Sequence, residues 1–381
     1  MNNDLIGSSG PYSSYKAAYH LDSLAKLRNG EHPIPKQVQL IISDYCQESC
    51  NFCSYRHDGV SQDLFAERDS EGHITNINPK LFIPYKNVIE ILDDCVETGV
   101  KAIQLTGGGD PSAHPQFRNI LQDIIDRKLD LALVTHGAVI KEGVPDLLAK
   151  GNWVRISIDC ATKETYSKVR SVPEHWYDRV LTNVERIVTA RNNLQNSKLH
   201  IGIGFVVTKD NWWEVIDAAK TAHDLGVDNI RISAVFQNNY FNYFKDFYDD
   251  AAGAVKTAVK LYNNDKFKVF NLFGDRIDEL KQHSPTFKFC SYMHFNTYVA
   301  PSRVPNCWAD IYKCCVTSYS QNGLIGSLND EFSFKQYLES NSKKTVLDEH
   351  DSRKCPACMF SKKIEFTNSL LDPEPVDINF V

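Results

Sequence analysis

No run in these 381 residues approaches the ~18 consecutive apolar residues that a membrane span needs. The opening stretch, MNNDLIGSSG, has neither a basic n-region nor an apolar core, so no secretory signal is expected. Internal repeats and low-complexity tracts are missing too, which sets solenoids and arrays aside. Positive charge is not in excess either. Against 42 Lys+Arg stand 48 Asp+Glu, a net charge of −6, which offers no broad electrostatic footprint for nucleic acid. The composition, 42% hydrophobic and 24% charged, is that of a globular protein and not of a disordered or fibrous one. Its length suits one large domain with an appendage, or two domains, and the expected location is the cytoplasm.

What the chain has in quantity is cysteine. Eleven is an odd number, and without a sign of secretion a disulfide framework is not expected. The thiols are grouped: Cys46, Cys50 and Cys53 near the start, then Cys290, Cys307, Cys314, Cys315, Cys355 and Cys358. Only Cys95 and Cys160 stand alone, and both read as small buried hydrophobes. Clustered thiols in such a chain point to metal.

Between the clusters, short runs rich in Val, Ile and Leu alternate with amphipathic stretches. Strands are predicted at Val38–Ser43, Ala102–Thr106, Leu129–Thr135, Val154–Asp159, His200–Val207 and Asn229–Ala234. Helices are predicted at Lys86–Glu97, Phe117–Arg127, Val144–Lys150, Tyr177–Asn192 and Trp212–Leu225, several stopping at Gly99, Gly151 or Gly226. Six βα units in succession imply an α/β fold with a parallel sheet, either open and doubly wound or a partial barrel; periodicity does not separate the two. One amphipathic helix is expected at Ser14–Leu27, an irregular loop over 54–82, and a long helical stretch at Tyr240–Asn264 whose aromatics pack.

Cys46-Gln-Glu-Ser-Cys50-Asn-Phe-Cys53 follows directly on the first strand. Three thiolates are one short of a closed structural zinc site, although a zinc knuckle with a distant fourth ligand would use the same residues. A 4Fe–4S cluster held by three cysteines keeps one iron open for a small molecule. The C-x3-C-x2-C spacing, with Phe52 just before the third cysteine, resembles the signature of the radical S-adenosylmethionine (SAM) superfamily. Thr106-Gly107-Gly108-Gly109-Asp110-Pro111 resembles that family's Gly-Gly-Glu-Pro segment, with one extra glycine and Asp in place of Glu. Val154-Arg-Ile-Ser157-Ile-Asp159, with Arg170 downstream, resembles its Ser-x-Asp strand. Ile201-Gly-Ile-Gly204 is similar to the segment that packs against adenine, and Thr135-His136-Gly137 stands where relatives have Thr-Asn-Gly.

The resemblance implies a partial (β/α)6 TIM barrel with the cluster at the C-terminal mouth of its strands. It implies that Cys46, Cys50 and Cys53 ligate a 4Fe–4S cluster. Gly107, Gly108, Gly109 and Asp110 would hold the SAM amino group, while Ser157, Asp159 and Arg170 meet its ribose and carboxylate. Phe52 and Gly204 would lie along adenine, and His136 is either a contact or structural. Cys355-Pro-Ala-Cys358 with Cys290 resembles the SPASM and twitch domains that bind auxiliary 4Fe–4S clusters, although a four-thiolate zinc site would use the same spacing. Spacing favours Cys307 as the fourth ligand; context favours Cys314, next to Cys315. The implied domains are an N-terminal helical extension 1–37, a barrel 38–236, a linking helical region 237–285, an auxiliary-cluster domain 286–365 and a tail 366–381.

The implied reaction is reductive cleavage of SAM to a 5′-deoxyadenosyl radical that abstracts hydrogen from a substrate carbon. An electron donor of the flavodoxin or ferredoxin kind would serve it. No separate acid–base residue can be chosen. A small molecule or residue is the first substrate class. A ribosomal peptide is the second, lowered because 37 residues precede the first strand where peptide maturases often carry a longer binding domain. A nucleotide or nucleic acid is third, and a non-enzymatic Fe–S or zinc protein is the alternative of a different class.

Overall fold

The computed structural model describes residues 12–55, 70, 80–236, 240–281, 284–320 and 322–372. One ten-stranded sheet organises them: β1 (Gln37–Leu40), β2 (Ala102–Leu105), β3 (Asp130–Thr135), β4 (Trp153–Ser157), β5 (His200–Val207), β6 (Asn229–Ala234), β7 (Lys268–Leu272), β8 (Asn296–Pro301), β9 (Ala309–Tyr312) and β10 (Leu324–Leu328). Their order is β10-β9-β8-β1-β2-β3-β4-β5-β6-β7. The pairings from β8 through β1 to β7 are parallel, while β9 and β10 are antiparallel. The sheet is not closed: β7 and β10 are its edges, as in a partial barrel.

The predicted strands lie within a few residues of those found. Along each one, Val38 and Leu40, Ile103 and Leu105, Val154 and Ile156, and Ile230 and Ile232 are buried on the helix side. The positions between them form the inner face, because side chains in a strand alternate. The helix Tyr85–Thr98 shows the packing logic: it buries Val88, Ile91, Leu92 and Cys95 and stops at Gly99, whose φ of 89° is left-handed. Each such apolar side chain contributes roughly 1.5–3 kcal/mol by burial. Cys95 and Cys160 are indeed buried in this core.

Two expected helices need correction, and three features bear on the expected domains. The helix expected at Ser14–Leu27 is broken at His20 into a 3-10 turn, Ser14–Tyr19, and a helix, Leu21–Arg28; Tyr19 and Leu21 are exposed there, so no apolar stripe runs across the break. The stretch at Tyr240–Asn264 is likewise two helices, Tyr240–Phe244 and Tyr248–Tyr262, divided where Phe244 packs on Phe247 and Phe273. The region 237–285 is more than a helical link, since it supplies β7, parallel to β6. Residues 286–365 contribute β8, which hydrogen-bonds alongside β1 from Asn296 to Val299. The helix Ser361–Leu371 runs across the expected 365/366 boundary and packs on Ser14–Tyr19. Most of the loop expected over 54–82, and the tail after 372, lie outside the described residues.

Candidate functional site

The chain leaves β1 through Ser43, Asp44 and Tyr45 into the cysteine loop, at the C-terminal end of the parallel strands. Backbone bonds pin this loop to the helix Lys163–Arg170: Ser49 N–H donates to Arg170 C=O (3.0 Å) and Asn51 N–H to Val169 C=O (3.0 Å). Burial pushes the Cys50 thiol well up; Arg170 opposes this, while Glu48, Cys53 and Cys46 add to it. The three thiols are therefore close enough to feel one another, each partly buried. A thiolate set that burial disfavours is stabilised by a cationic iron centre, so the donor chemistry fits an iron–sulfur cluster.

Beneath the loop lies a buried charge network. Arg170 donates from Nη1 to Glu48 Oε2 (2.5 Å) and from Nη2 to Asp159 Oδ2. Tyr166 donates to Glu48 Oε1 (2.5 Å), and Val206 N–H to Asp159 Oδ1 (2.6 Å). The Phe52 ring lies 5.8 Å from the guanidinium. Asp159, predicted to touch SAM, has both oxygens engaged, and burial, opposed by Arg170, holds its carboxyl above the usual range. Arg170 keeps one buried polar atom, Nε, without a partner among the described residues. Ser157 ends β4 next to Gly204, and its hydroxyl has no partner among the described residues.

The glycine loop is held as tightly. Asp110 accepts from Ser112 N–H (2.9 Å) and Oγ (2.6 Å), Thr135 Oγ1 (3.0 Å) and His136 N–H (2.8 Å). A carboxylate so occupied ties the loops after β2 and β3 together. His136 accepts from Ala138 N–H at Nδ1 (3.0 Å), so Nε2 carries the proton and donates it to Gln47 Oε1 (3.0 Å). His136 is thus a strut between the β3 loop and the cysteine loop.

Asp44, Arg303 and Tyr319 also belong to this site and, like Glu48 and Tyr166, escaped the motif reading. Buried Asp44 accepts from Arg303 Nη2 (3.1 Å) and from the Tyr319 hydroxyl. This clamps the turn after β8 and the connection from β9 to β10 onto the start of the cysteine loop. The glycine loop is threaded beneath: a Cβ on Gly108 would collide with the Tyr319 hydroxyl and with Asp44, and one on Gly109 with Tyr45 C=O. Tyr319→Phe is expected to destabilise the protein by about 1–3 kcal/mol, the cost of an unmet buried carboxylate bond. Gly108→Ala should act in the same direction by prising the two loops apart. Urea unfolding of the two variants checks this, and wild-type midpoints in both would show the clamp to be idle.

The second cysteine group encloses its own pocket, lined by Cys290, Cys314, Cys355 and Cys358 together with Tyr292 and Lys313. Burial raises the Cys290 thiol, and Cys314, Cys358 and Cys355 raise it further; Cys355 is pushed up to about 12, by burial first and then by Cys314 and Cys358. Cys307 stands apart, beside Asp310 and Asn329. Cys315 does not line the pocket; its charge is felt by Tyr55, Tyr292 and Tyr298. Among the described residues, no three His, Cys, Asp or Glu side chains close on a single point tightly enough for one bare metal ion.

Residues 40–219 match the family model described as Radical SAM superfamily. The chain is 24% identical over 199 residues to the tungsten-containing aldehyde ferredoxin oxidoreductase cofactor-modifying protein of Pyrococcus furiosus, covering 52% of this chain and 51% of that one. It is 23% identical over 195 residues to GTP 3′,8-cyclase of Clostridium perfringens, covering 50% and 53%. The chain therefore spans about half the length of these curated relatives. The fold is similar to that of Streptococcus suis SuiB bound to the precursor peptide SuiA, with TM-score 0.59, 15% identity, and coverage of 96% of this chain and 80% of that one. SuiB bound to S-adenosylmethionine matches with TM-score 0.58, 16% identity, and coverage of 93% and 79%. Through its residues 40–219, this chain is similar to the radical SAM superfamily, the family its cysteine and glycine motifs resemble.

Proposed function

We propose that Cys46, Cys50 and Cys53 hold the 4Fe–4S cluster that this superfamily uses with S-adenosylmethionine, and that Cys290, Cys314, Cys355 and Cys358 hold an auxiliary 4Fe–4S cluster. The observation that carries this is the gathering of two thiol sets on one sheet, three at the mouth of β1 and four around a separate pocket. Bound there, the first cluster and SAM supply a radical able to take hydrogen from an unactivated carbon. The chain's own residues orient and enclose. Gly107, Gly108 and Gly109 present bare backbone; the Ser157 hydroxyl and the Gly204 backbone face the next stretch of the mouth; Phe52 and Arg170 wall the cysteine loop. Asp110, Asp159, Glu48 and His136 are positioning residues that hold those groups in place. Support for a peptide substrate comes from the fold shared with SuiB across 96% of this chain, with a small molecule as the second class. Reduction by a flavodoxin or ferredoxin belongs to the same reading.

Anaerobically reconstituted protein is expected to bind close to eight irons, as two 4Fe–4S clusters require, and after dithionite reduction to convert SAM to 5′-deoxyadenosine and methionine. Cys314→Ala should lower or destabilise the iron content, whereas Cys307→Ala should not. A fully loaded protein that leaves SAM intact would sink the reading, and the reverse order of the two variants would move the fourth ligand to Cys307.

A further inference from the structure

The inner face of the sheet carries a cluster of cationic side chains. On β4, β5 and β6, the residues alternating with the buried helix-side core are Trp153, Arg155 and Ser157, then Gly202 and Gly204, then Asn229, Arg231 and Ser233. Register places Arg155 beside Gly202, and Gly204 beside Arg231. Two glycines thus leave a bare strip of β5 between two arginine-bearing strands. A Cβ on Gly204 would stand 3.5 Å from Arg155 Cδ, so the arginine stem already lies along that strip. The Arg155 guanidinium lies 6.0 Å from the Trp153 ring, and that of Arg231 5.5 Å from the Tyr12 ring.

A lysine joins them from the C-terminal helix. The Lys363 ammonium lies 5.7 Å from the Tyr292 ring and 5.8 Å from that of Phe360, and the Tyr292 hydroxyl accepts from Gln39 of the inner face of β1 (3.0 Å). Burial lowers the Lys363 ammonium, and the charges of Lys16 and Arg231 lower it further. No acid occupies the matching positions of β1 and β2, where Gln37 bonds Gln104 across the strands (2.7 Å). Among the described residues, neither the Arg155 guanidinium nor the Lys363 ammonium has a hydrogen-bonding or carboxylate partner. Like charges gathered in a low-dielectric space repel one another, and a surface lined by one sign of charge concentrates ligands of the opposite sign.

We propose that this inner face is the binding site for an oxyanion of the substrate, a carboxylate or a phosphate, with Arg155 donating to it and Lys363 and Arg231 completing the positive field. The proposal rests on the reading above, in which substrate meets the cluster end of this sheet. Arg155 suits the role because its planar fork matches both oxyanions, and the glycine strip lets a ligand approach the backbone closely. The positive field would select substrates bearing a negative group near the reacting carbon and turn away cationic ones.

Two probes test it by calorimetric titration of the reconstituted protein at low salt: inorganic pyrophosphate and triglutamate. Saturable binding of either is expected, weakened by roughly tenfold or more in Arg155→Gln and in Lys363→Gln. Arg155→Lys, which keeps the charge and loses the fork, should fall between wild type and Arg155→Gln. Cluster absorbance equal to wild type shows that the variants are folded. The tighter probe names the source, pyrophosphate for a phosphorylated small molecule and triglutamate for an acidic peptide. Absence of saturable binding by both, or binding unchanged in all three variants, overturns the proposal. SAM cleavage by the unsubstituted protein is scored separately. Anion binding without cleavage would sink the radical SAM reading of the cysteines alone, and cleavage without anion binding would sink this site alone.

Discussion

Replacing Cys46, Cys50 and Cys53 together by Ala is expected to reduce SAM cleavage to the background of the assay, while about half of the iron and of the visible absorbance stays with the protein. The asymmetry follows from the separation of the two thiol sets. Cys46 and Cys53 both act on the Cys50 thiol at the mouth of β1, and the pocket of Cys290, Cys314, Cys355 and Cys358 contains none of them. Four irons lost and four kept is the result expected for two independent 4Fe–4S clusters. The converse variant, Cys355→Ala/Cys358→Ala, should lose the other half and still cleave SAM. Iron determination with product chromatography decides the matter. Undiminished cleavage in the triple variant would remove the first group from the reaction. Full iron in the double variant would mean that the second group holds no iron–sulfur cluster.

Arg170→Ala is expected to have the largest effect on stability, about 3–5 kcal/mol, because it removes the guanidinium that two buried carboxylates share. Glu48 and Asp159 are each 1% exposed, and both take their cation from this one guanidinium. The cysteine loop should loosen with it, since Glu48 sits between Cys46 and Cys50. Arg170→Lys should recover part of the loss, because one ammonium cannot serve both carboxylates with the geometry of a fork. Anaerobic urea unfolding, followed by iron content, measures both consequences. A destabilisation within the ~0.5 kcal/mol usual for surface substitutions would show that the network does not carry the loop.

Motif order, element type and the identity of the thiols were all legible before any coordinates. The βα alternation is written in local periodicity, so β5 and β6 appear in the structure with the bounds that their Val and Ile runs predict. The C-x3-C-x2-C spacing and the loop of Gly107 to Asp110 are contiguous in sequence, and contiguous chemistry needs no fold to be read. Glu48 was visible too, as an acid inside the cysteine loop. Its meaning was not, because its partners Tyr166 and Arg170 lie more than a hundred residues away.

The sequence by itself therefore carried the resemblance to the superfamily, the strands of the barrel and the two sets of thiols, since each rests on residues close together along the chain. Tertiary structure alone decided that β8 pairs with β1, which binds the C-terminal region into the barrel sheet. It placed Cys314 rather than Cys307 in the second pocket. It supplied Asp110 and Asp159 with donors from neighbouring loops and strands, and brought Arg303 and Tyr319 back across some 260 residues to Asp44. The reason is physical. A carboxylate presents the same atoms to a ligand as to a backbone amide or a guanidinium, and only the packing that removes it from water, and the partners that packing supplies, settle which of them it holds.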